Sequence, residues 1–174
     1  MIIDDGDSHF IFVYHPDTVF GMRSYIRYEG KPVKNKEYLE HWGKWIVLAE
    51  RKKLDELAQK LDPHVEQGII PCIKYDRIPP THLGINECVM CIFCDGREKD
   101  EVWKILSDLG AEQKAWIYER ETIEMWSPGG RLLENWIARE GMSEEEAEEI
   151  REEAKQRFLE VYGDPDAICT GWAQ

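Results

Sequence analysis

The run Ser127-Pro128-Gly129-Gly130-Arg131, entered from Trp126, holds the residue types that point most directly to chemistry. Glycines ahead of a helix let consecutive backbone N–H groups converge on an anion, and Arg131 adds a guanidinium charge. The same residues are also ordinary grammar for a helix start, where proline and glycine are common. Trp126 and Trp42 each stand beside a turn, and a tryptophan on a loop is well placed to stack on a planar ring. Trp45 and Trp116 instead lie within apolar strands and read as core.

Cys88, Cys91 and Cys94 form a C-x-x-C-x-x-C run that resembles part of an iron–sulfur ligand set. Cluster thiolates must converge from a loop. Here Val89, Met90, Ile92 and Phe93 make the segment a buried strand, which sends residues three apart to opposite faces. A fourth ligand is missing as well, so neither a metal nor another cofactor is expected. His9, His15, His41, His64 and His82 are scattered and make neither H-x-H nor H-E-x-x-H. There is no G-x-S-x-G elbow, no P-loop and no Rossmann fingerprint, so no catalytic residue can be named and the case for an enzyme is thin.

These candidates sit in a chain of 174 residues, 43% hydrophobic and 11% aromatic, enough for one closed core and one domain spanning residues 1–174. The formal net charge is −13, much of it from the glutamate-rich stretch Glu144 to Glu153, which reads as a solvated helix face. Such a surface repels a phosphate backbone and disfavours sequence-independent binding to duplex nucleic acid, while leaving room for a small local basic site. Apolar runs such as Trp45 to Ala49 are far shorter than the ~20 residues a membrane span requires. The acidic start Met1-Ile2-Ile3-Asp4-Asp5 lacks the basic and apolar parts of a secretory signal. The five cysteines are an odd number in a chain too large to need staples, as expected of free thiols in a reducing, cytoplasmic setting.

The elements that must position the candidates follow from periodicity. His9 to Tyr14 predicts a first strand, closed by His15-Pro16-Asp17, and Tyr25 to Tyr28 a short one before the turn Glu29-Gly30-Lys31-Pro32. Lys44 to Ala49 predicts a buried strand. Leu54, Leu57, Ala58 and Leu61 then line one helix face that stops near Asp62-Pro63, and Pro71 to Tyr75 returns as a strand. The same grammar recurs with strand Cys88 to Cys94, the face Val102, Ile105, Leu106 and Leu109, the cap Gly110, and strand Ala115 to Tyr118. Two tandem strand-helix-strand units predict an α/β (α+β) fold with one shared sheet and helices on one face. Leu132, Leu133, Trp136 and Ile137 mark a third helix. A fourth opens with the Ser143/Glu146 capping box and turns Ala147, Ile150, Ala154, Phe158 and Val161 inward, before a tail from Asp166 to Gln174 that lies on the body.

Gly43-Lys44-Trp45-Ile46-Val47-Leu48 with its following helix is similar to the G-[KR]-W strand and helix of the cap-binding translation initiation factor. Glu87 to Cys94, the Arg97-Glu98 turn and the helix to Leu109-Gly110 resemble that factor's later strand-turn-helix. Over its whole length the chain resembles more closely the uncharacterised family named for a basophilic-leukaemia-expressed protein, whose members share that fold. The resemblance implies a mainly antiparallel curved sheet. In the initiation factor, two tryptophans sandwich a methylated guanine, a glutamate reads the base edge and basic residues hold the phosphates. A cationic purine between aromatic faces is favourable on general grounds. No Trp-Glu step precedes the G-K-W strand here; Tyr28-Glu29 is the nearest aromatic–acid pair and Trp42 the nearest tryptophan, whereas Lys74 and Arg77 fall where phosphate-contacting residues would be.

The leading expectation is a domain that binds a nucleotide, a capped RNA end or another phosphorylated ligand, with Trp42 and Trp126 as aromatic platforms and Lys74, Arg77, Gly129, Gly130 and Arg131 around the charge. An alternative is a protein-interaction module without a small ligand, which needs an exposed apolar groove and whose partner the sequence does not name. A third is a lyase-like enzyme acting on a phosphorylated substrate, for which Lys74, Arg77, His82 and Arg131 supply the residue types.

Overall fold

The computed structural model describes residues 1–171. In chain order the strands are β1 (Ile2–Ile3), β2 (Phe10–Tyr14), β3 (Arg27–Tyr28), β4 (Lys31–Pro32), β5 (Trp42–Ala49), β6 (Cys72–Asp76), β7 (Cys88–Asp95) and β8 (Trp116–Tyr118). The helices are α1 (Pro16–Val19), α2 (Asn35–His41), α3 (Arg51–Glu66), α4 (Lys99–Asp108), α5 (Glu119–Met125), α6 (Arg131–Arg139) and α7 (Glu144–Tyr162). Both predicted strand-helix-strand units are present, as β5-α3-β6 and β7-α4-β8. They interlock, because the main sheet runs β1-β2-β6-β7-β5-β8 and every pairing in it is antiparallel. Each unit therefore returns to a strand parallel with its first, and one strand of the other unit fills the gap, a split β-α-β arrangement. The fold is α+β, as the alternation of periods predicted.

Period-two alternation assigns the two faces of the sheet. Ile11 and Val13 of β2, Ile73 and Tyr75 of β6, Met90 and Ile92 of β7 and Trp45 of β5 point to one side and pack under α3 and α4. Leu54, Ala58, Leu61 and Val65 from α3 and Val102 and Leu106 from α4 close that core. Each fully buried Leu or Val there contributes about 1.5–3 kcal/mol of transfer free energy. Leu57 is only partly buried, and the inward stripe passes instead to Val65, because α3 runs on through Pro63 to Glu66. Pro63 removes the one N–H that would have met Gln59 O, and its own O still accepts from Gln67 N at 3.0 Å.

The other face carries a second core, to which the predicted hairpin and fourth helix contribute along with α2, a helix the periodicity does not predict. Tyr38 of α2, Ile26 and Val33 around the β3-β4 hairpin, and Tyr162 at the end of α7 pack with Trp42, Cys72 and Phe93 of the sheet. At the hairpin tip Glu29 and Gly30 both have positive φ, 48° and 74°, as a tight two-residue turn requires. α6 and α7 form a helical hairpin with its own small core of Leu133, Ile137 and Ala147. The Ser143 capping box forms as predicted, with Glu146 N donating to Ser143 Oγ at 3.2 Å and Ser143 N to Glu146 Oε2 at 2.9 Å. Up to Gly171 the tail lies on the body, with Cys169 N donating to Val33 O at 2.8 Å; residues 172–174 lie outside the described part. Among the described residues no helix is long and apolar enough to cross a membrane.

Candidate functional site

On the face away from α3 and α4, alternate residues of three neighbouring strands form a row. Phe12 of β2 pairs with Lys74 of β6, and Lys74 with Cys91 of β7. The adjacent row runs Tyr14, Cys72, Phe93 and Lys44. Above these rows lies a cavity of about 260 Å³ whose walls are the rings of Phe12, Tyr14, Tyr25, Tyr38, Trp42 and Phe93. Its polar lining comes from Lys74, Glu119, Cys72 and Thr170. The size sits just below the ~300–1,000 Å³ common for small-molecule sites and suits one planar ring system.

The rings are held by one another. Tyr38 stacks on Trp42 with centroids 6.0 Å apart at 19°, and Tyr14 meets Tyr25 at 5.8 Å. Trp42 is 1% exposed, because it opens β5 rather than lying on a loop, and so it serves as a fixed wall of the cavity. Glu119 enters from the first turn of α5, where Lys44 Nζ donates to its Oε1 at 2.6 Å and to Thr122 Oγ1 at 3.1 Å. Lys74 Nζ stands 4.4 Å from the Phe10 ring centroid, a cation–π contact. Burial pushes the Lys74 ammonium below its ordinary lysine value, and Lys44 adds to the effect, while Cys91, Glu119 and Cys72 oppose it. Burial likewise raises the Cys72 and Cys91 thiols and the Tyr14, Tyr25 and Tyr38 hydroxyls, which are neutral at pH 7. Glu119, paired with Lys44, and Lys74 thus line the same cavity.

Tyr25 also forms a wall of a second cavity, of about 270 Å³, at the end of the sheet where β2 stops and β6 begins. His15, Arg23 and Arg27 bring cationic or protonatable groups to it, and Glu29 and Glu98 bring carboxyls. Arg23 Nε lies 3.7 Å from Asp17, and Arg27 donates to the carbonyl of Gly30, leaving its buried Nε–H without a hydrogen-bond partner. Burial, with Asp95 close by, raises the Glu98 carboxyl.

Set against known proteins, the chain has no match among family models, curated proteins or solved structures.

Of the residues expected from the sequence, the structure brings Trp42 and Lys74 into one cavity and leaves the others elsewhere. Arg77 holds the N-terminal segment, its Nε donating to Ser8 O at 2.8 Å and its guanidinium paired with Asp4. Trp126, 37% exposed, caps α5 and adjoins the turn to α6. In that turn Gly129 N donates to Glu134 Oε1 at 2.9 Å and Gly130 N to Ser127 O at 2.8 Å, so two donors already serve the chain's own oxygens. Both glycines also have a backbone reason. Gly129 has φ 81°, and a Cβ on Gly130 would lie 2.2 Å from Glu124 O. Arg131 is exposed beside Met125. Missed from the sequence were Tyr14, Tyr25, Phe93, Lys44, Glu119, Arg23 and Arg27. For Lys44 and Lys74 a signal was present, a lysine at an alternate position inside an otherwise apolar strand; Glu119, Arg23 and Arg27 carry none.

Proposed function

We propose that the chain is a binding domain for a phosphorylated planar ligand, a nucleotide foremost, with a capped RNA end in the same class. The ring system enters the aromatic cavity and the phosphate lies beyond Tyr25, on Arg23 and Arg27. The observation that carries this is the single shared wall: an aromatic cavity holding Lys74 and Glu119 adjoins one holding two guanidinium groups. Stacking supplies sequence-tolerant affinity of about 1–3 kcal/mol per base. Glu119 accepts a hydrogen bond from a ring N–H, and the orphaned Arg27 Nε–H gains an acceptor it lacks. The resemblance to the cap-binding initiation factor supports the same class of ligand.

Calorimetry of one nucleoside and its mono- and triphosphates tests this. Affinity should rise with phosphorylation, weaken with added salt, and lose that phosphate increment in Arg27→Gln. Equal binding of nucleoside and nucleotide, or an increment untouched in both Arg27→Gln and Arg23→Gln, overturns the proposal.

A further inference from the structure

We propose that His15 supplies a third hydrogen-bond donor beside Arg23 and Arg27 in the cavity beyond Tyr25, and that the three together select a terminal phosphate over one esterified on both sides. This rests on the reading above that a nucleotide places its phosphate in that cavity. His15 follows β2 directly and lines the cavity with a half-buried side chain. Its Nδ1 accepts from Asp17 N at 3.0 Å, as the N-cap of α1. With Nδ1 serving as acceptor, the hydrogen of the neutral ring is fixed on Nε2, at the opposite edge. One backbone contact thus anchors the ring and leaves it a donor.

Each of the three groups has one internal commitment and one donor to spare. Arg27 donates to the carbonyl of Gly30, while its buried Nε–H has no hydrogen-bond partner. Arg23 turns Nε toward Asp17 and Nη2 toward Gly68, a wall of the cavity, where a Cβ would lie 3.8 Å from that nitrogen. His15 adds Nε2–H. A terminal phosphate exposes three non-bridging oxygens, one for each group, whereas a diester exposes two and leaves one donor unmet. Net charge does not make this selection. Glu29 and Glu98 face the same cavity and offset the two guanidinium charges, and Asp17 Oδ2 stands 3.7 Å from both His15 Nδ1 and Arg23 Nε. The number and direction of direct donors therefore decide which phosphate fits.

The test uses the full chain and calorimetry with adenosine and guanosine monophosphates, set beside the methyl diesters of the same phosphates, which keep base and sugar but block one oxygen. The wild type should bind each monophosphate about tenfold or more tightly than its methyl diester. Two substitutions separate the two nitrogens of the ring. His15→Asn places an oxygen near Nδ1 and keeps the cap on Asp17 N, yet should lose the preference for the monophosphate. His15→Gln carries an amide N–H toward the place of Nε2 and should keep most of the preference, although it gives up the cap. A merely structural role gives the reverse order, with His15→Asn harmless and His15→Gln damaging, and that result overturns the proposal. Equal binding of monophosphate and methyl diester by the wild type, both tighter than the nucleoside, also overturns it and leaves the phosphate assignment standing. No gain of either monophosphate over its nucleoside removes that assignment and this inference together.

Discussion

Arg97 and Asp95 form a closed clamp at the end of β7: Arg97 Nε donates to Asp95 Oδ1 at 2.9 Å and Arg97 Nη2 to Asp95 Oδ2 at 2.9 Å. Asp95 is fully buried, and its Oδ1 also accepts from Arg97 N at 2.9 Å. The guanidinium carbon lies 3.6 Å from the centre of the Tyr28 ring, so one ion pair joins the β7-α4 turn to the β3-β4 hairpin. These bonds hold the Arg97 guanidinium pKa above its ordinary value.

Removing one partner strands a buried charge. Arg97→Met should cost about 3–5 kcal/mol in urea unfolding, and the double change with Asp95→Leu should recover part of that loss. A variant within experimental error of the wild type would show that the pair is hydrated in solution.

The two interlocked units should respond alike at their buried leucines. Leu61 on α3 and Leu106 on α4 are both 0% exposed, so changing either to alanine should cost about 2–5 kcal/mol, and Leu57→Ala, at the partly buried flank, distinctly less. Equal costs at Leu57 and Leu61 would contradict the face assigned to α3.

Gly43 tests the packing of β5 against β8. A Cβ there would meet Trp116 Cζ2 at 2.4 Å and Ile117 O at 2.7 Å, and the backbone oxygen cannot swing away. Gly43→Ala should cost about 1–3 kcal/mol and alter the fluorescence of the Trp45–Trp116 pair, whose rings are 5.2 Å apart. Unchanged stability and spectrum together would mean that β8 moves aside freely.

How much of this was legible depends on whether burial was periodic. β5, β6 and β7 carry a core on each face and stand out as apolar runs, while α3 and α4 bury one face whose i, i+3, i+4 spacing is written in the sequence. α2 and α5 have only seven residues each, and α2 runs directly into β5 as α5 runs directly out of β8, with no punctuating residue between. The cavity was less legible still. Its floor comes from β2, β6 and β7, its roof from Tyr25, Tyr38 and Glu119, and only strand register brings Lys74 between Phe12 and Cys91. The glycine run at 129–130 was conspicuous for a local reason, a turn pressed on the backbone of Glu124 and Met125, and local grammar does not say whether an anion also uses it.

The burial of Lys74 should give the protein's stability a pH signature. Burial lowers its folded-state pKa, and the unfolded chain returns it to about 10.4, the ordinary lysine value. Between those two values the unfolded state binds more protons than the folded state, so stability rises with pH. The contribution is fully present above the ordinary lysine value and is lost as pH falls through the lowered folded value. Lys74→Met removes the titration while keeping the length of the side chain. Comparing urea unfolding of both proteins at pH 7 and pH 10 cancels the other alkaline titrations, which the two share. The wild type should gain on Lys74→Met between these pH values by about 1.4 kcal/mol for each unit by which the pKa is lowered, less whatever part of the shift lies outside that range. The cation–π contact with Phe10 acts on the charged form and works in the opposite sense, so a flat difference would mean that this contact and the carboxylate of Glu119 fully compensate the desolvation. In that case Lys74 is an ordinary ammonium at pH 7.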